Sequence, residues 1–234
     1  MNADLLHALL ISAAWIALSI GADLILRATL PGIDPRWASL WIVLLLAVLA
    51  AGGVSAMGWW HQVGYTAIGD WRNRGWLALA AALTLLPLAA GIRPLDAPTY
   101  GLLVAGYALT GFAEETVFRG VLVKLLERRS PIGIASLTAI LFGLVHLSNI
   151  VIRGEVAVIA AQAVGAAAFG FGYVALRLRT NALLPLVITH LLTDLFLQMG
   201  RLPLIPVAVG QDVILFGVGV YLLRGWTRPA AGGA

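Results

Sequence analysis

Cysteine is missing altogether, which excludes disulfides and thiolate metal ligands and leaves the redox compartment unmarked. Charge is scarce as well. Only 11% of the 234 residues are Asp, Glu, Lys or Arg while 61% are apolar, too little polar material to coat a soluble globule of this size. A water-soluble domain is therefore excluded, and the bilayer is the solvent. The net charge of +4 lacks a continuous basic face, because the cations stand singly or in pairs between apolar runs. That pattern argues against a nucleic-acid partner and leaves orientation among membrane lipids as their role. No basic stretch precedes the first apolar run and no cleavage-like site is followed by soluble sequence, so that run reads as a retained span. A Gly-x-Ser-x-Gly elbow and a His-Glu-x-x-His pair are both absent, which counts against a serine hydrolase and an ordinary zincin.

What is present is a succession of apolar runs. About 20 such residues cross the hydrocarbon core as a helix, and eight runs qualify, over 5–26, 37–57, 76–92, 99–126, 132–151, 156–176, 182–199 and 202–223. The expected fold is all-α: a polytopic bundle of about eight transmembrane helices in one integral membrane domain. Residues 1–98 carry the first spans, 99–199 the central spans, and 200–234 a last span and tail. Pro203, Pro206, Gln211 and Asp212 interrupt the eighth run, which is expected to be broken or re-entrant. With eight spans both termini share a side. That side collects Arg72, Arg74, Lys124, Arg128, Arg129, Arg177, Arg179, Arg224 and Arg228, against Arg27, Arg36, Arg93, Arg153 and Arg201 opposite, which places both termini in the cytoplasm. Trp59, Trp60, Tyr65, Trp71 and Trp76 read as interfacial anchors, and Asp23 and Asp212 as residues of span ends and breaks. Arg-rich, Ala-rich coding suggests a prokaryotic cytoplasmic membrane.

Against this background six ionisable residues stand inside spans, where each costs about 2.5–3.5 kcal/mol on insertion scales. They are Glu114, Glu115 and Arg119 in the fourth span, His146 in the fifth, and His190 and Asp194 in the seventh. Glu115 with Arg119, Phe142 with His146 and His190 with Asp194 are each four residues apart, hence one turn apart on a shared helical face, with Glu114 on a neighbouring face. Counted from Arg128, Pro131 and Arg179, the positions Glu114, His146 and His190 lie roughly 16–22 Å deep. Their common level predicts one polar centre, open toward the cytoplasmic leaflet. Two carboxylates and two imidazoles at low dielectric supply a general base, ligands for water or a divalent ion, and donors for an oxyanion. That inventory suits peptide-bond hydrolysis, although taken alone Glu115 with Arg119 equally describes a structural ion pair. Gly165, Gly170 and Gly172 in the sixth span are expected to permit close helix packing.

At these positions the sequence resembles the CPBP (CAAX protease and bacteriocin-processing, or Abi) family. Glu114-Glu115-Thr116-Val117-Phe118-Arg119 resembles its Glu-Glu-x-x-x-Arg motif, Phe142 through His146 its Phe-x-x-x-His motif, and His190 through Asp194 its His-x-x-x-Asp/Asn motif. The resemblance implies an intramembrane endopeptidase related to the type II CAAX prenyl endopeptidases, acting on a peptide or lipidated protein. It further implies Glu114 as the base that activates water, His146 as a holder of that water, Glu115 paired with Arg119 in support, Phe142 as structural support, and His190 with Asp194 stabilising the oxyanion. The family has been described both as metalloproteases and as glutamate-dependent proteases. Glu114, His146, His190 and Asp194 are accordingly also candidate ligands of one divalent ion such as zinc. Asp194 stands where the eukaryotic enzymes carry Asn, which leaves three roles open to it: a protonated donor, an orienter of His190, or a metal ligand. Two other classes remain, a catalytically silent scaffold in peptide maturation or immunity and a proton-coupled transporter. The latter predicts paired half-repeats, and none is visible.

Overall fold

The computed structural model describes residues 3–69 and 71–226, without the Trp71 side chain; Arg228 of the basic flank lies outside the described residues. Each apolar run is helical. The order is α1 (Ala3–Thr29), α2 (Pro35–Met57), α3 (Arg74–Thr84) with a 3₁₀ turn at Leu86–Ala90, and α4 (Ala97–Glu114). A π-helical turn over Glu115–Val121 then leads into α5 (Leu122–Leu125). After it come α6 (Pro131–His146), α7 (Ser148–Arg153), α8 (Val156–Thr180), α9 (Leu184–Met199) and α10 (Leu204–Leu223). The molecule is a multi-pass helical membrane bundle. Among the described residues five helical paths are long and apolar enough to cross a membrane, while Arg74–Ala90 and Leu184–Met199 are apolar but shorter. Among the described residues the sole β pairing is an isolated bridge between Ile92 and Gly200.

Several helix starts follow from local chemistry. Asp34, Asp96 and Ser130 each precede a helix with proline in its first turn and accept from the amides of Arg36, Thr99 and Gly133. Arg36 also holds the exposed Asp34 carboxyl down to about 2, and the Thr99 amide lowers that of Asp96. Gly58, at φ 64°, ends α2 in a left-handed cap.

Three sequence expectations are corrected. The eighth run is not broken: α10 is one continuous helix of 20 residues. Pro203 is its N-cap and Pro206 falls in the first turn, where the amide that proline lacks has no intrahelical acceptor anyway. Buried Gln211 donates to the Leu83 carbonyl at 2.6 Å, so its polarity joins α10 to α3 rather than ending the helix. Asp23, expected at a span end, is buried within α1 and paired with Arg27 at 2.7 Å. Arg177, counted as a basic flank, is buried instead, bonding the carbonyls of Val63 and Gln62 and the Asn181 side chain.

The helices define two membrane faces. One carries the start of α1 beside the α5 turn, where Asp4, Trp59, Lys124 and Arg128 line a shallow depression, together with Arg179 stacked 4.8 Å over Trp226. The opposite face carries Arg27 bonded to the Ile152 carbonyl, Arg36 bonded to Thr99, and the Ile92–Gly200 bridge. Between them α8 packs closely on α6 and α10. At Gly172 a Cβ would overlap the Leu215 backbone oxygen, and at Gly143 it would lie 2.6 Å from the Ala163 carbonyl. The glycine stripe therefore serves helix packing.

Candidate active site

The three motifs meet where the π-helical turn faces α9 and α6. Consecutive residues on a regular α-helix diverge by about 100°, yet Glu114 and Glu115 both reach one imidazole. The Glu115 carboxylate Oε1 accepts from His190 Nδ1 at 2.8 Å, and Glu114 Oε2 lies 3.7 Å from Nε2 of the same ring. Two features allow this. The ring's nitrogens point to opposite sides, and Glu115 opens a π turn whose wider winding alters the angular spacing of its residues. Asp194 Oδ2 lies 3.5 Å from His190 Nε2. Because a carboxylate can only accept, Nδ1 carries a proton and the ring is oriented by Glu115. Any proton on Nε2 lies between the oxygens of Glu114 and Asp194.

Behind these four residues sits Arg119, fully buried, with Nη1 3.2 Å from Glu115 Oε1. Its three guanidinium nitrogens find no hydrogen-bond acceptor among the described residues; the cation lies instead on aromatic faces. Cζ is 3.8 Å from the centroid of Phe142, 5.7 Å from Phe169 and 5.8 Å from Tyr173. Gly170 makes room for it, since a Cβ there would lie 3.2 Å from both Arg119 Nη2 and Phe142 Cδ1. Phe142 is thus more than a motif marker. Its ring carries Arg119 on one face and meets His146 edge-on at 4.7 Å and His190 at 6.5 Å.

His146 is half-buried at the end of α6, with Nδ1 2.8 Å from the Phe142 carbonyl. A carbonyl accepts, so Nδ1 bears the hydrogen and Nε2 keeps its lone pair for something outside the helix. It lies within electrostatic reach of Glu114 but makes no hydrogen bond to that carboxylate. The structure therefore joins Glu114, Glu115, Arg119, Phe142, His190 and Asp194 directly and leaves His146 as the opposite wall. Sequence reading missed the contribution of α8, whose Phe169 and Tyr173 stack on each other at 4.0 Å and pack edge-on against His190 at 5.3 and 6.3 Å. Their spacing of four in an Ala/Gly-rich helix was the available signal. Among the described residues no three His or carboxylate side chains lie in a metal-binding arrangement; the Nδ1–Glu115 bond leaves His190 Nε2, with Glu114 and Asp194, as the donors a divalent ion would use.

On the termini-bearing side the segment 58–69 packs over the site: Tyr65 shares a 2.7 Å hydrogen bond with Thr116, Leu183 donates to Gly64 and Gly69 to Thr180.

A buried cluster of carboxylates, an imidazole and a guanidinium inside a multi-pass helical bundle makes this an integral membrane protein with a polar centre. The family model described as Type II CAAX prenyl endopeptidase Rce1-like matches residues 96–196, the segment that carries all three motifs. No curated protein and no solved structure matches the chain.

Proposed function

We propose that this protein is an intramembrane endopeptidase that hydrolyses a peptide bond of a lipid-attached or membrane-proximal substrate with a glutamate-activated water. Glu114 takes the proton from water as its oxygen attacks the scissile carbonyl, and returns it to the leaving amine. The His146 Nε2 lone pair accepts a hydrogen from the same water. A proton on His190 Nε2 faces the developing oxyanion, while Glu115 and Arg119 hold that ring in place. In this reading orientation of His190 falls to Glu115, and Asp194 shares the Nε2 proton. No metal takes part in any step.

The observation that carries the reading is His190 bridging the two consecutive glutamates, Nδ1 to Glu115 at 2.8 Å and Nε2 toward Glu114 at 3.7 Å. This gives adjacent carboxylates unlike roles, one tied down structurally and one left for chemistry. The test is cleavage of a quenched fluorescent lipidated peptide by the purified protein in nanodiscs. Wild type is expected to cleave with or without chelator, and Glu114→Gln and His146→Ala are expected to lose roughly 100-fold or more, the usual weight of a general base. Equal cleavage by all three would sink the proposal, and loss on chelation would restore the metal reading.

A further inference from the structure

Exposure is graded across the site in one direction. Side-chain exposure is 1% at Arg119, 0% at Glu115, 7% at His190, 14% at Glu114 and 30% at Asp194, and Gln198, one turn beyond Asp194 on α9, is exposed. On α4, Tyr107 lies two turns from Glu114 on the same face. It lies near Gln198 and within electrostatic reach of Asp194 and Arg153. Between them Gly111 brings α4 against α9, a Cβ there falling 3.0 Å from the Val187 carbonyl.

The other end is sealed. Val63, Leu122, Leu126 and Leu183 are fully buried, and buried Arg177 anchors the 62–63 carbonyls beneath them. A Cβ on Gly120 would lie 2.9 Å from that of Val63, so the segment cannot press closer.

We infer that the substrate reaches the site from the membrane face opposite both termini, along a polar corridor in which Tyr107, Gln198 and Arg153, all outside the three motifs, receive its backbone. A phenol, an amide and a guanidinium offer donors for carbonyls and an acceptor for an amide, the needs of an extended peptide strand. Tyr107 and Gln198 are positioning residues here, since neither touches the reacting atoms. The substrate class rests on the proposed peptidase reading, whereas the route does not.

Because the chain has no cysteine, single cysteines report access without background. Gln198→Cys and Tyr107→Cys, with Leu95→Cys and Glu127→Cys as references for the two faces, are treated with a membrane-impermeant maleimide in vesicles of each orientation. Both corridor positions are expected to label from the side that labels Leu95→Cys. Labelling from the Glu127→Cys side, or only after denaturation, overturns the route whatever the activity. In the cleavage assay Tyr107→Phe is expected to raise KM roughly three- to tenfold at unchanged kcat, the weight of one hydrogen bond. An unmoved KM removes Tyr107 from the corridor; absent cleavage in wild type refutes the peptidase reading and leaves the labelling result standing.

Discussion

Arg119 shows how much one side chain can be asked to do. It is a cation in the middle of a bilayer, with one carboxylate beside it and three aromatic faces around it, and it carries Glu115, which in turn carries His190. A lysine keeps the charge but presents a compact ammonium that cannot lie flat on Phe142. Arg119→Lys is therefore expected to lower the unfolding free energy by about 2 kcal/mol, the weight of a desolvated cation–π contact, read by denaturant titration of the detergent-solubilised protein. An unchanged midpoint would mean that the rings contribute nothing. Spacing alone was enough to pair Glu115 with Arg119. It could not show that His190 joins both glutamates, because that depends on a wide turn which residue types do not announce.

Helix α10 was expected to break and does not, since its prolines fall at the N-cap and in the first turn. Pro206→Ala should then change stability by no more than roughly 0.5 kcal/mol, as at an ordinary position; a loss of several times that in chemical denaturation would show that Pro206 shapes a bend. The α8 interface is the opposite case. Gly172→Ala puts a methyl group against the Leu215 backbone, which cannot turn aside as a side chain could. A cost of about 1–3 kcal/mol is expected, the range of overpacking a close-fitted core, while Gly217→Ala, with nothing within 4 Å, serves as the neutral control. Equal thermal stability of the two variants would contradict the close approach of α8 and α10.

For the whole molecule, the two faces carry Lys124, Arg128 and Arg179 beside the start of α1 and Arg27 and Arg36 opposite, as the alternation of eight runs assigned them. Arg177 is the exception, spent on anchoring a loop. By the positive-inside rule, the remaining excess of cations beside the termini predicts that they face the cytoplasm. A reporter active only in the cytoplasm, fused after Ala234, is accordingly expected to be active. An inactive fusion, with the same reporter active when inserted near Leu95, would invert the bundle and carry the corridor mouth to the cytoplasm with it.

Membrane insertion, the helical character of each apolar run and the motif residues were determined by the sequence alone, because each rests on something local: the cost of a polar group in hydrocarbon, a rise of about 1.5 Å per residue, and a spacing of four on one helix. Helix caps such as Asp34, Asp96 and Ser130 were equally local. Only the tertiary structure decided which nitrogen of His190 faces which glutamate, that Phe169 and Tyr173 of α8 wall the site, and which end of it is closed. Those outcomes depend on how helices far apart in the chain rotate against one another. That rotation is set by close contacts such as Gly111 on Val187 and Gly120 on Val63, whose partners no periodicity within a single helix can name.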